Sequence, residues 1–128
     1  MLFNVSDFGA VGDGVTMNTK AIQAAIDDCS KNGGGRVTIA EGRYLSGRID
    51  FKSGVELHIE RDAVLLGSTN VNDFPEIVTD FWRTEYAPRF NRRCFIYAEG
   101  CEDIAITGFG AIDGNEEIFY GEVTKWHI

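Results

Sequence analysis

The stretch VSDFGAVGDGVTMNTKAIQAAIDD, residues 5–28, decides the fold of this chain. Its first four residues predict a short strand, and the glycines that follow predict a turn-rich loop. Apolar residues then recur at helical spacing, which predicts one amphipathic helix over about residues 18–31. Thr16 or Asn18 can cap the start of this helix, and Gly33 provides a left-handed stop at its end.

Beyond the helix, apolar residues stand at every second position. The runs are short, and glycines separate them, which predicts an all-β architecture for the rest of the chain. Val37 and Ile39 stand 20 residues before Leu57 and Ile59. This spacing indicates a repeating coil of about that length.

A second, longer repeat follows. A shift of 47 residues superposes the apolar and small positions of residues 55–67 on those of residues 102–114, with Leu57 over Ile104. Their polar positions vary. Repeated apolar spacing without repeated identity is what a solenoid needs, because each turn stacks its inward side chains on the turn before.

The segment between these repeats, about residues 72–94, has a different composition. It contains five aromatic residues, both prolines and four of the twelve basic residues of the chain. The basic residues are Arg83, Arg89, Arg92 and Arg93. We interpret this segment as an excursion that leaves the coil between two strands.

The overall composition limits the classes of function. The 128 residues fit one domain, and the formal net charge of −8 argues against nucleic-acid binding, which needs excess basic charge. The sequence contains no run of about 18 apolar residues that would predict a membrane span, and it shows no N-terminal leader with a basic start and an apolar stretch. Three cysteines exclude a full disulfide framework, but leave open one Cys94–Cys101 bridge or three reduced thiols. A cytoplasmic location is favoured over a secreted one, although a trimmed N-terminus would look the same.

Four pieces of the sequence resemble the N-terminal region of glycoside hydrolase family 28, the polygalacturonases and their relatives. They are VSDFGAVGDGVTMNTKAIQAAIDDC, GGGRVTIAEGRYLSG, LHIERDAVLLGS and ITGFGAIDG. The resemblance covers nearly the whole chain. It implies a right-handed parallel β-helix with one N-terminal capping α-helix, truncated at its C-terminal end.

The resemblance also implies a reaction, the inverting hydrolysis of α-linked galacturonan. Such hydrolysis uses two carboxyl groups, one protonating the leaving oxygen and one activating water. The N-T-D, D-D, G-H-G and R-I-K motifs of the family do not occur here, and Asp27-Asp28 is a solvated pair on the helix. We therefore assign no catalytic residue, no metal and no cofactor, and expect the chain alone to be inactive.

Substrate contact is expected in the excursion. Arginine pairs bidentately with carboxylates such as those of galacturonate, and aromatic faces can stack on sugar rings. The candidate binding residues are Arg83, Tyr86, Arg89, Arg92 and Arg93. The alternative is a structural role, in which the aromatics pack the loop and the arginines pair with nearby carboxylates.

Three other functions remain open. The chain could be a non-catalytic β-helix module that binds or attaches to glycans. It could instead dock on another chain, or on a second copy, through the open C-terminal edge of its solenoid. A lyase that uses arginine and Ca²⁺ is the third alternative.

Overall fold

The computed structural model describes residues 2–75 and 94–115, in which ten short β-strands accompany one α-helix. The helix, α1, spans Thr19–Lys31, and short 3₁₀ turns span Val5–Phe8 and Val71–Asp73. The strands are β1 (Leu2–Asn4), β2 (Asp13–Met17), β3 (Gly35–Ile39), β4 (Gly42–Ser46), β5 (Ile49–Asp50), β6 (Val55–Ile59), β7 (Ala63–Gly67), β8 (Ile96–Tyr97), β9 (Ala105–Thr107) and β10 (Ala111–Asp113). No helix in the described part of the chain has the length and hydropathy needed to cross a bilayer.

The strands form three parallel sheets. Two sheets have four strands each, in the orders β1-β3-β6-β9 and β10-β7-β4-β2, and the third consists of β5 and β8. From β3 onward the chain visits the three sheets in turn, so each circuit adds one parallel strand to each sheet. The expectation of a mostly-β chain with parallel sheets and one helix is confirmed. The single domain over residues 1–128 stays a prediction.

The core lies inside these coils and is built from stacked aliphatic side chains. Val37 pairs with Leu57 and Ile39 with Ile59, which confirms the 20-residue coil, and all four are buried. The apolar stripe of α1 closes the N-terminal end of this core. Its fully buried members are Ile22, Ala25, Ile26 and Cys29.

The expected pairing of Leu57 with Ile104 is wrong, because Leu57 lies opposite Ile106. The 47-residue shift does hold between β7 and β10, where Leu65 lies opposite Ile112. The discrepancy arises because Ile106 and Ile112 are two residues closer in sequence than Leu57 and Leu65, the residues they pair with, so in register the connection from β9 to β10 is the shorter one. A two-residue slip in a strand preserves which face points inward, so the core pattern survives.

Two glycines make the shortened turn possible. Gly108 has a φ of +100°, and a Cβ atom at this position would run into the backbone carbonyl of Ile59. A Cβ atom at Gly110 would run into the Ile59 side chain and the Glu60 carbonyl. The turn therefore lies directly against the backbone of the preceding coil.

The predicted strand over the first four residues of the opening stretch is wrong. Val5–Phe8 is a 3₁₀ turn, whose first free backbone N–H, that of Ser6, donates to the Asn4 side chain at 3.0 Å. Gly9 ends this turn with a φ of +98°. The strand of this region comes earlier, as β1, and the glycine-rich loop contains a second strand, β2.

Asn18 precedes α1 as expected but does not cap it. The Asn18 side chain makes no bond to the helix. It accepts from the Val11 N–H at 2.8 Å and donates to the carbonyls of Val11 and Thr16, each at 3.0 Å. Thr16 is part of β2. Asn18 therefore holds the loop before the helix closed, and its burial reflects these three bonds. At the other end of α1, the predicted left-handed stop at Gly33 is confirmed by its φ of +94°.

Polar side chains of α1 replace a strand that the third sheet lacks. β5 pairs with β8 on one edge only, and its other edge faces the helix. The Gln23 amide accepts from the Asp50 N–H and donates to the Asp50 carbonyl, both at 2.8 Å. Thr19 Oγ1 accepts from the Gly47 N–H at 2.7 Å. One helix thus seals the core and satisfies the backbone at the sheet edge.

Gly108→Ala is expected to destabilise the fold more than Gly9→Ala. Both glycines have positive φ, near +100°, but nothing lies within 4 Å of a Cβ atom at Gly9. The Gly9 variant should lose about 1 kcal/mol from backbone strain, and the Gly108 variant about 3 kcal/mol because overlap adds to strain. Urea unfolding of the two variants measures this difference. Equal losses would contradict the close approach of Gly108 to Ile59.

Gln23→Ala is expected to lower the free energy of unfolding by about 2 kcal/mol, although alanine is the better helix former. The loss arises because the Asp50 N–H and carbonyl are left without partners. Lys20→Ala, on the exposed face of the same helix, is the matched control and should change stability by less than about 0.5 kcal/mol. Denaturant unfolding tests both. Similar values for the two variants would show that α1 does not complete the sheet edge.

Candidate functional site

The outward face of β5 and β8 is the candidate site, because both ends of the predicted excursion meet there. Ile49 and Ile96 pair across these strands and point into the core. Asp50 and Tyr97 pair beside them and point outward, where they are half-buried. The alternation of inward and outward residues in these strands puts polar side chains on one surface.

Arg48 is the centre of this surface. Its Nε lies 2.8 Å from Oδ1 of Asp50, and its Nη2 donates to Oδ2 of Asp50 at 3.3 Å. The Arg48 Nη1 donates to the carbonyl of Pro75 at 3.0 Å, and its guanidinium lies 5.8 Å from the centroid of the Tyr97 ring. Because its charge is already paired with Asp50, Arg48 serves to hold the start of the excursion against the sheet.

An aromatic pair closes the base of the excursion. Phe74, near its start, and Phe95, just after it, are both buried and meet edge to face with ring centroids 5.7 Å apart. Cys94 is buried beside them, and burial raises the pKa of its thiol to about 11 despite the nearby charge of Arg48. The Cys94 thiol therefore stays protonated and unreactive at neutral pH. All three cysteines of the chain are free in this structure.

A shallow cleft of about 360 Å³ continues this surface toward the turn after β8. Lys52, Glu99 and Cys101 line it together with Asp50 and Tyr97. The Lys52 side chain is exposed, and among the described residues no carboxylate pairs with it. The cleft therefore contains one cation without an ion pair and one aromatic side chain, together with the Glu99 carboxylate, and Lys52 is its group suited to the carboxylate of an anionic sugar.

The five residues predicted to bind substrate lie outside the described residues. Arg83, Tyr86, Arg89, Arg92 and Arg93 fall between Pro75 and Cys94. The structure brings the two ends of their segment together at Arg48, and so locates where the segment leaves and rejoins the coil. Their role in binding stays a prediction.

Sequence reasoning missed the residues that carry the described part of this site, namely Arg48, Asp50, Lys52 and Tyr97. A signal was present. In the run RIDFK, residues 48–52, charged residues alternate with the apolar residues of a strand. Such alternation indicates three charges side by side on the outer face, but their proximity to the excursion depends on the coil.

A second row of polar side chains crosses the outer face of the sheet that contains β3, β6 and β9. Arg36 Nη2 lies 3.0 Å from Oε2 of Glu56, and the Thr107 hydroxyl donates to the same oxygen at 2.6 Å. His58 Nδ1 lies 2.8 Å from the Thr107 oxygen. The Thr107 hydroxyl, and then Arg36, lower the pKa of the Glu56 carboxyl. This row ties three successive coils together.

The lowered pKa of Glu56 predicts a loss of stability in acid. A carboxyl group whose pKa is lower in the folded state stabilises the fold above its unfolded-state pKa, and this contribution disappears as the pH falls through the folded-state pKa. Glu56→Gln should therefore flatten the dependence of unfolding free energy on pH below about pH 5. Urea titrations between pH 3 and pH 7 measure this slope. Glu102→Gln, at an exposed carboxylate, is the control, and an unchanged slope in Glu56→Gln would contradict the assignment.

Comparison with protein families places the chain in a known group. The family described as "Rhamnogalacturonase A/epimerase, pectate lyase-like" matches residues 2–72, more than half of the sequence. The protein therefore belongs to this pectate-lyase-like family. Its sequence is that of a polygalacturonase-like N-terminal region, which confirms the resemblance seen in the four sequence pieces.

Individual relatives support this assignment. The chain is 34% identical over 122 residues to an exo-poly-alpha-D-galacturonosidase of Dickeya chrysanthemi, covering 89% of this chain and 19% of the relative. The solved family 28 exopolygalacturonase of Yersinia enterocolitica has 40% identity and a TM-score of 0.77 over 90% of this chain and 21% of that one. Plasmin and fibronectin-binding protein A of Streptococcus pneumoniae is 36% identical over 121 residues, which is 88% of this chain and 15% of the relative. The chain thus spans about a fifth or less of the length of each of these proteins.

Proposed function

We propose that this chain is the N-terminal segment of a polygalacturonase-like glycoside hydrolase that acts on a pectic or other uronic-acid polysaccharide by inverting hydrolysis. The observation that carries the proposal is the match to the Yersinia exopolygalacturonase over 90% of this chain, at 40% identity. The coils would then be the first turns of a right-handed parallel β-helix. The catalytic aspartates would lie outside these 128 residues.

The segment would close the end of the core and contact the substrate, but it would not supply the catalytic groups. Closure is the role of α1, which ends the core. Contact would come from the excursion over residues 72–94, held at its base by Arg48, and from Lys52 in the adjoining cleft. Positive charge at that position would attract the carboxylates of a uronan and favour their bidentate pairing with arginine.

Binding of oligogalacturonate to the 128-residue chain tests this proposal. The triple variant Arg89→Gln/Arg92→Gln/Arg93→Gln should bind at least about tenfold more weakly than the parent, because it loses three carboxylate partners. A matched control is Lys20→Gln/Lys31→Gln/Arg43→Gln, which removes the same charge from exposed positions elsewhere. Calorimetry measures the affinities, and a reducing-end assay should detect no hydrolysis by the isolated chain.

Equal weakening in the two triple variants would reduce the effect to net charge and contradict a site at the excursion. Release of reducing ends by the isolated chain would contradict the location of the catalytic residues outside it. Absence of binding together with an intact fold would remove the proposed contact role and leave only closure.

A second candidate is a non-catalytic attachment module, favoured by the likeness to the plasmin and fibronectin-binding protein of Streptococcus pneumoniae. That function predicts binding to a protein or glycan surface that does not depend on uronate carboxylates.

Self-association through β9 and β10, the last strands described in their sheets, is a further proposal, and sedimentation at increasing concentration would reveal it. A cytoplasmic location is also proposed, supported by the three free thiols, and a secreted location would argue against it.

A further inference from the structure

One aromatic side chain stands out on the surface away from β5 and β8. Phe109 lies at the tip of the shortened turn between β9 and β10 and is 81% exposed, while Leu2 and Val15 are the next most exposed large apolar residues. The two glycines that flank Phe109 lie against the backbone of the preceding coil. The turn backbone is therefore held against the preceding coil, and the ring is presented on the surface.

A cation accompanies this ring. Arg61, in the turn of the coil beneath, places its guanidinium carbon 5.4 Å from the centroid of the Phe109 ring. Within the part of the chain that the structure describes, Arg61 has no ion pair with a carboxylate. The ring and the guanidinium form a pair whose cation has no ion-pair partner, in a turn where Arg61 stands between the exposed Glu60 and Asp62. We name this pair the Phe109–Arg61 platform.

We propose that the Phe109–Arg61 platform is a second saccharide-binding site, which takes a uronosyl residue. The exposed ring face would stack on the apolar face of the sugar, and the Arg61 guanidinium would donate two hydrogen bonds to the sugar carboxylate. Charge complementarity favours this ligand, because a neutral sugar has no carboxylate to pair with the Arg61 guanidinium. The class of sugar rests on the proposed function, whereas the location does not.

The two sites are structurally separate. The platform occupies the turn that joins the two four-stranded sheets, and the candidate site lies on the two-stranded sheet. A polysaccharide chain that leaves one surface could therefore be held on another surface of the same coils. Two contact points would raise the effective concentration of polymer at the protein without any new contact in the first site.

A titration of the 128-residue chain with tri-galacturonate, followed by amide chemical shifts in NMR spectra, tests the inference. Saturable shifts are expected at Gly108, Phe109 and Gly110. Phe109→Ala should weaken this binding about tenfold, and Arg61→Gln by a similar factor. Val15→Ala is the matched control, because Val15 is an apolar residue of similar exposure, at 77%, on another strand.

The outcomes separate this inference from the proposed function. Shifts at Lys52 and Tyr97 without shifts at the turn would overturn the platform and retain the contact role in the proposed function. Shifts at the turn without shifts at Lys52 and Tyr97 would retain the platform and overturn that contact role. No shifts at either surface would overturn the platform and the contact role together. Equal binding of tri-galactose at the turn would overturn the assignment to a uronosyl ligand, and shifts unchanged by both Phe109→Ala and Arg61→Gln would overturn the location.

Discussion

The hydrogen bonds between α1 and the free edge of β5 are the constraint on which the rest of the structure depends. A coil of parallel strands must end somewhere, and its last strand then exposes backbone groups and an open core. Here the Gln23 amide satisfies both backbone groups of Asp50, and the Ser30 hydroxyl donates to the Ser53 carbonyl at 2.7 Å. The apolar stripe of the same helix, directly beside these polar residues, covers the core. A single element therefore solves both problems, because a helix presents different chemistry on different faces.

Once the first coil is fixed, each later coil inherits its register from the strand below. This stacking tolerates turns that differ in length by an even number of residues, because successive side chains of a strand alternate between its inner and outer faces. The turn that contains Gly108 and Gly110 is the clearest case, since it is shorter than its predecessor by an even number of residues. The ladder of inward aliphatic residues continues unbroken from Leu57 to Ile106. Variation in turns is thereby confined to the surface, where it creates features such as the exposed Phe109 ring.

The sequence was sufficient to predict features with a local period. The stripe of α1 and the 20-residue spacing of Val37 and Leu57 are periodic, and both are present in the structure. It was insufficient where a side chain bonds to distant backbone. Asn18 is one of two candidate caps by its position, with Thr16 the other, but the loop seven residues earlier competes for the Asn18 side chain. The site divides in the same way: composition revealed the excursion, whereas the position of Arg48 at its base depends on how the coils stack.

The same physical reasoning bears on how such a segment can serve proteins of different activity. Relatives named as an exo-galacturonosidase and as a plasmin and fibronectin-binding protein both match most of this chain. The residues that close the core and pair the strands are constrained by packing, whatever the surface does. Outward residues, such as Lys52, Arg61 and Phe109, are free of that constraint, because their side chains are exposed and take no part in the ladder. Specificity in this segment should therefore be determined by its outward positions and its excursion, and the closed end should be common to proteins that differ in everything they bind.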